Sequence, residues 1–212
     1  MIGLKVKGWN DITISQYKAI VKIVEDEYYS PVEKDAMVLA LLCGVDEKQI
    51  WNLDVNEFNS LRGKMGFLSN FEFDKRWHLK RIKIDGEEYD VQADINKFSV
   101  AQYMDYQSLW KNKDSHMGSM LTVFLVPRGK KYNDGYDIQH LAEVFEENVS
   151  IVTYNCICFF FLRNLVTSTS ASQLYSTYLM RKMMKTASPV EKEKMKKNLE
   201  EMEQKPVLIC YV

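Results

Sequence analysis

The sequence predicts a mainly α-helical protein: a multi-helix domain with one small β-hairpin and an extended C-terminal strand. Along most of the chain, a serine, threonine or aspartate precedes apolar residues at helical spacing. Strict alternation of apolar and charged residues marks the hairpin, over residues 79–92. The last six residues, 207–212, follow Pro206 as an apolar, β-prone run.

Size and charge indicate an ordinary globular protein. The chain has 212 residues, of which 46% are hydrophobic and 27% charged, and its net charge is −1. A chain of this length buries about 70% of its unfolded surface, so it needs no metal or disulfide to fold. A balanced charge predicts no overall attraction to nucleic acid or to an anionic membrane. We expect a helical core domain with the hairpin in residues 1–166, and a C-terminal extension in residues 167–212.

The cysteines and the most apolar stretch both predict core residues. Cys43, Cys156, Cys158 and Cys210 lie in hydrophobic settings and are predicted to be reduced and buried, which indicates synthesis in a reducing cytoplasm. The N-terminus does not resemble a secretory signal. The stretch 149–166 includes polar residues and Arg163, so it predicts a core helix rather than a membrane span.

Three helices are predicted before the hairpin. Thr13 and Gln16 form a capping box ahead of apolar residues at helical spacing, which are Tyr17, Ile20, Val21, Val24 and Tyr28. Ser30 and Pro31 start a second helix that Gly44 ends. Asp54 opens a third with an apolar face, made of Phe58, Leu61, Met65 and Leu68. Gly63 and Gly66 each weaken this third helix by about 1 kcal/mol relative to alanine.

The hairpin prediction rests on period two and on its turn. Ile82 and Ile84 should point inward while Arg81 and Lys83 point outward, and Asp85-Gly86 supplies a tight turn. Two strands alone are marginally stable, so we expect the hairpin to pack on the helices or on a third strand.

The second half returns to helices. Ser99 and Gln102 cap a helix whose apolar residues are Val100, Tyr103, Met104 and Trp110. An apolar run over 120–126 ends at Pro127, and a glycine-rich charged loop follows over 128–135. Asp137 starts another helix, and residues 156–162 belong to the next.

The last fifty residues carry the predicted partner-binding surface. A Ser/Thr linker, 167–172, precedes a helical aromatic and methionine face, and Ser188-Pro189 starts a helix with a narrow apolar seam. The C-terminal strand either completes the protein's own sheet beside the hairpin or adds to the sheet edge of a neighbouring subunit. The predicted partner-binding residues are Leu174, Tyr175, Tyr178, Leu179, Met183, Met195, Leu199, Met202, Val207, Leu208, Ile209 and Tyr211.

The sequence predicts no catalytic residue, no metal site and no cofactor. His78, His116 and His140 are far apart in sequence, and the chain has no metal-ligand spacing, nucleophile elbow or phosphate-binding glycine loop. Carboxylates brought together only by the fold are the remaining enzymatic alternative.

Two basic segments each have two interpretations. Arg128, Lys130 and Lys131 lie in the glycine-rich loop, which is either an anion-binding loop or a solvated turn that needs Gly129 and Gly135 for positive φ. The stretch 75–83 either contacts nucleic acid or is a half-exposed strand with outward cations. Its candidate contact residues are Lys75, Arg76, Trp77, Lys80, Arg81 and Lys83.

The order of segments over residues 12–165 resembles small tail-assembly chaperone-like proteins and associated virion proteins of tailed bacteriophages, including crAss-like phages. The segments that carry the resemblance, in order, are 12–20, 41–45, 54–58, 84–89, 98–105, 124–132 and 159–161. After Thr167 the chain departs from that pattern, and no catalytic residue carries over.

The resemblance implies a non-enzymatic virion protein of the tail or head-to-tail region, made in the host cytoplasm. Its partners would be other virion or tail proteins, or copies of itself. No membrane partner is expected. The alternatives are a transient tail-assembly chaperone and a nucleic-acid-contacting protein.

Overall fold

The computed structural model describes residues 4–71 and 79–164. Within these ranges it confirms the predicted fold class, with eight α-helices and a small three-stranded antiparallel sheet. The predicted C-terminal strand and the rest of the extension after residue 164 lie outside the described residues.

The first two helices begin where their capping signals predict. Helix α1 spans Ile14–Glu25, and the Thr13 hydroxyl accepts a hydrogen bond from the Gln16 amide at 3.2 Å. Helix α2 spans Pro31–Cys43 and ends at Gly44, whose φ of 66° is the left-handed conformation that glycine adopts without strain. The spacing of apolar residues predicts that α1 extends to Tyr28, and this prediction is wrong. Helix α1 ends three residues earlier, and Tyr28 lies in the following turn with 88% of its surface exposed.

A short helix and a longer one follow. Helix α3, Glu47–Trp51, was not predicted, because five residues are too few to show a period. Helix α4 spans Val55–Lys64, and the Asp54 carboxylate caps it by accepting from the backbone amides of the first turn. A 3-10 turn over Met65–Ser69 then carries the buried Met65 into the core.

The sheet confirms the hairpin and supplies the third strand. Strands β1, Arg81–Ile84, and β2, Glu87–Val91, meet at a turn in which Asp85 and Gly86 have φ of 47° and 83°. Positive φ at both central residues is the turn that matches the twist of a hairpin. Ile84 is buried and its charged neighbours point outward, as the alternation predicted. Strand β3, Leu125–Pro127, pairs antiparallel with β2, so the order is β1-β2-β3.

The remaining helices build the aromatic core. These are α5, Val100–Trp110; α6, Met117–Phe124; α7, Ile138–Asn148; and α8, residues 151–164. The apolar run 120–126 thus divides between the end of α6 and β3. Phe161 of α8 lies at the centre, with ring centroids 4.7 Å from Phe124 and 4.8 Å from Tyr106.

Two close contacts tie these elements together. Helices α6 and α7 approach at Gly118, where a Cβ would lie only 2.4 Å from the Ala142 carbonyl oxygen. The start of α1 pairs with the start of α8, because the Ile14 amide donates to the Val149 carbonyl and the Ile151 amide donates to the Ile12 carbonyl. The first and last described α-helices are therefore joined by backbone hydrogen bonds.

The cysteine prediction is right in part. Cys156 is buried as expected, Cys43 and Cys158 are only partly buried, and all three are free thiols. Cys210 lies outside the described residues. In the described ranges, no helix is long and apolar enough to cross a membrane.

Candidate functional site

A polar cleft of about 790 Å³ opens between α6, α7 and the loop before α7. Its polar lining includes His116, Ser119, Tyr136, Asp137, Glu143 and Glu146. Four of these groups have structural partners. Asp137 caps α7 by accepting from two backbone amides, and the His116 ring contacts the Asn112 carbonyl at 3.1 Å. The Tyr136 hydroxyl accepts from the Asn133 amide, and Glu146 accepts from Lys18 and from the Gly118 amide.

The Glu146 carboxylate of α7 contacts both α1 and α6. It lies 2.7 Å from the Lys18 ammonium of α1 and accepts the Gly118 amide of α6 at 3.2 Å. Both charged side chains are about one-third exposed or less, so water screens the pair less than a fully exposed one. The pair therefore positions α1, α6 and α7 at their common junction.

A second cleft, of about 130 Å³, lies against the aromatic core and includes Trp110, Tyr154 and Cys158. Burial raises the pKa of Cys158 to about 12, so this thiol is protonated at neutral pH and is a poor nucleophile. Burial also raises the pKa of Tyr154, with Cys158 adding to the shift. Within the described residues, no group of three or more histidine, cysteine, aspartate or glutamate residues is arranged to hold a metal ion.

The predicted anion-binding residues lie in a loop with specific contacts. Arg128 forms an ion pair with Glu88 of β2, and the Lys130 ammonium lies 5.9 Å from the centre of the Tyr136 ring. Lys131 is exposed. Gly129 and Gly135 have φ of 79° and 69°, as the turn interpretation requires. Anion binding stays a prediction, with Arg128 already neutralised by a carboxylate.

The same loop is anchored to α5 by a tyrosine. The Tyr132 hydroxyl donates to the Asp105 carboxylate at 2.7 Å. Burial raises the pKa of Tyr132, and the neighbouring Asp105 carboxylate raises it further because an adjacent negative charge disfavours the phenolate.

The predicted nucleic-acid contacts fall on both sides of the described boundary. Lys80 and Lys83 are exposed, and Arg81 forms an ion pair with Asp90 across the hairpin at 3.0 Å. Lys75, Arg76 and Trp77 lie outside the described residues, as do all twelve predicted partner-binding residues from Leu174 to Tyr211.

Comparison with protein families, curated proteins and solved structures finds no match to this chain. The assignment of a function therefore depends on the residues and surfaces of the chain itself.

Several apolar side chains are exposed that the sequence predicted to face the core or did not mark. Helix α5 turns a different face inward from the one predicted. Gln102 and Tyr106 are buried, whereas Val100, Tyr103 and Met104 are 79%, 40% and 63% exposed. The reason is that α5 is apolar on more than one face, so periodicity alone did not identify the buried one.

The other exposed apolar side chains of the described residues lie on the first four helices, in the turn after α1 and after the 3-10 turn. They are Val24, Tyr28, Val32, Trp51, Val55 and Phe71. For Val55, the available signal was its position directly after the capping Asp54, at the start of α4. Trp51 lies at the end of α3, which the sequence did not predict.

Proposed function

We propose that this chain is a non-enzymatic component of a tailed-bacteriophage virion, in the tail or head-to-tail region, that packs against neighbouring proteins or copies of itself. The supporting observation is that exposed apolar side chains occur at both ends of α2. Tyr28, in the turn before α2, is 88% exposed, and Val32, in the first turn of α2, is 50% exposed. Beyond its other end, Trp51 is 50% exposed and Val55 is 73% exposed.

The two pairs of side chains are well separated. The Arg62 guanidinium lies 2.6 Å from Asp35 in the second turn of α2, so the end of α4 lies near the start of α2. The start of α4, with Val55, therefore lies towards the opposite end of α2. Thirteen residues of α-helix span about 20 Å, which separates the Tyr28 end from the Trp51 end.

This placement favours a structural subunit. Tyrosine and tryptophan side chains commonly carry a large part of the binding energy when a partner buries them. Two such anchors about 20 Å apart on different ends of one helix suit contacts with neighbours on two sides. A transient tail-assembly chaperone, which holds one client, is the alternative and requires only one such surface.

Mass spectrometry of purified mature particles distinguishes these proposals. A structural component should be present in stoichiometric amount. Presence in infected-cell lysate together with absence from particles would contradict the structural role and favour the chaperone.

Substitutions at the two anchors test the role of the surfaces. We expect Tyr28→Ala and Trp51→Ala each to lower incorporation into particles by about tenfold or more. Lys48→Ala, at an exposed position in the same short helix as Trp51, is the matched control and should leave incorporation unchanged. Normal incorporation of both anchor variants would refute the assignment of these surfaces.

Contact with packaged nucleic acid through the 75–83 segment is a third proposal, supported by the exposed Lys80 and Lys83. Binding carried by phosphate contacts should weaken steeply as salt rises, so salt-dependent binding of the purified chain to duplex DNA is its measurement.

A further inference from the structure

Helix α5 presents an apolar, uncharged stripe to solvent. Val100, Tyr103 and Met104, here called the α5 stripe, follow the i, i+3, i+4 spacing of one helix face. They are 79%, 40% and 63% exposed, and the next residue on this face, Gln107, donates to the Tyr103 hydroxyl. The opposite face, with Gln102 and Tyr106, is buried.

The composition of α5 is unusual for a helix with one face in water. Helix α7 has the same length of 11 residues and carries Glu143, Glu146 and Glu147. Helix α5 carries one charged residue, Asp105, and that carboxylate is bonded to Tyr132. A helix that keeps one face in water normally places charged residues there, so the α5 stripe has the character of a covered surface.

The chain leaves the described core near the start of α5, although α8 itself contacts the buried face of α5 and not the stripe. Phe161 of α8 contacts Tyr106 and, further towards the start of α5, Phe98, with ring centroids 4.8 and 5.6 Å apart. The last described residue, Asn164, donates its side-chain amide to the Ala93 carbonyl at 3.2 Å. Tyr154, near the start of α8, lines a cleft with Trp110 at the end of α5, whereas Phe161 reaches Phe98, two residues before α5. Helix α8 therefore runs antiparallel to α5, and the segment that follows residue 164 begins near the start of α5.

We propose that residues 174–183 of the same chain cover the α5 stripe. Their apolar residues, Leu174, Tyr175, Tyr178, Leu179 and Met183, share one face at helical spacing. Nine residues, 165–173, separate them from α8 and reach up to about 30 Å, whereas the 11 residues of α5 span about 16 Å. A short tether also keeps the segment at millimolar effective concentration, which favours the same chain over a second copy.

This inference does not depend on the phage role, and it narrows the predicted partner-binding surface. With 174–183 turned inward onto α5, the residues left for a partner are those of the following helix and strand. They are Met195, Leu199, Met202, Val207, Leu208, Ile209 and Tyr211.

Hydrogen exchange of the full chain, read by mass spectrometry, tests the contact from the α5 side. We expect amides of 174–183 to be protected in the wild type, and Val100→Glu combined with Met104→Glu to reduce that protection by about tenfold or more, because a carboxylate is costly in an apolar contact. Val24→Glu is the matched control for the first substitution. Val24 is likewise a helical valine that is more than half exposed, and it lies on α1 outside the surfaces proposed above, so its variant should leave 174–183 unchanged.

Oxidation of Met104 by hydrogen peroxide tests the contact from the other side. If 174–183 covers Met104, the wild type should oxidise there slowly, and Leu179→Glu should accelerate oxidation by about tenfold. This variant alters no residue of the described core, so it gives a result even if the double α5 variant fails to fold.

The dependence of Met104 oxidation on protein concentration shows whether the same chain or a second copy covers the α5 stripe. Slow oxidation that is independent of concentration, in a monomer by light scattering, supports contact within one chain. Protection that appears only as the chain dimerises would overturn the proposal in favour of a second copy. Unprotected 174–183 amides, or fast Met104 oxidation in the wild type, would overturn it in favour of a surface free for another protein.

Discussion

Gly118 offers a strong test of the packing between α6 and α7. A Cβ at this position would lie 2.4 Å from the Ala142 carbonyl oxygen and 2.5 Å from Glu146 Cγ. The carbonyl belongs to the α7 backbone and cannot rotate away as a side-chain end would. Gly118→Ala must therefore move α6 from α7, which also stretches the hydrogen bond from the Gly118 amide to Glu146.

The size of the effect follows from two opposed terms. Alanine gains up to about 1 kcal/mol over glycine in helix propensity, and less in the first turn, where Gly118 lies. Overpacking costs about 1–3 kcal/mol, and weakening the hydrogen bond to a carboxylate adds about 1 kcal/mol or more. We expect Gly118→Ala to lower the free energy of unfolding by about 2 kcal/mol, and Tm by about 4–8 °C for a chain of this size.

Urea unfolding of the full chain, followed by far-ultraviolet circular dichroism, measures this change. Gly63→Ala is the matched control, because Gly63 lies in the last turn of α4 and a Cβ there meets no neighbouring atom within 4 Å outside its own helix backbone. The control should leave the free energy of unfolding unchanged or raise it by up to about 1 kcal/mol, so the same substitution should destabilise the protein only at Gly118. A Gly118→Ala protein as stable as the wild type would refute the close approach of α6 to α7.

Two further predictions concern hydrogen bonds of α5. Gln102 is 1% exposed and donates to the Val123 carbonyl at 2.6 Å. Gln102→Ala should therefore lower the free energy of unfolding in urea by about 2–3 kcal/mol, whereas Gln107→Ala, at an exposed position, should lower it by about 0.5 kcal/mol or less. Burial and Asp105 raise the pKa of Tyr132 in the folded state, so the neutral phenol stabilises the fold below pH 10 and this contribution should be lost as pH rises above 10. The decline in unfolding free energy between pH 9.5 and 11 should be shallower in Tyr132→Phe, and equal slopes would contradict the assigned environment.

The features predicted correctly are those encoded by neighbouring residues. A cap such as Thr13 with Gln16 needs only a side chain and an amide three positions away. The Asp85-Gly86 turn needs only two residues that tolerate positive φ. Such signals located α1, α2, α4, α5 and the hairpin without any knowledge of tertiary contacts.

The features that were missed depend on distant residues. Strand β3 is the end of an apolar run that looks continuous in sequence, and it becomes a strand because β2, about 35 residues earlier, offers an edge. The buried face of α5 is selected by Phe161 and Phe124 from two other helices. The same holds for the candidate sites, since the partner of Arg128 is Glu88, 40 positions away.

The backbone pairing between the starts of α1 and α8 sets an order of events during synthesis. Ile12 and Ile14 are both fully buried. Their backbone hydrogen bonds to Val149 and Ile151 can form only after residues 149–151 have been synthesised. Ribosomes add about 5–20 residues per second, so roughly 7 to 28 seconds separate the emergence of Ile12 from that of Ile151. Throughout that interval the nascent chain carries two isoleucines whose final neighbours have not yet been made. The N-terminal helices can form early, but their junction closes only with the arrival of α8.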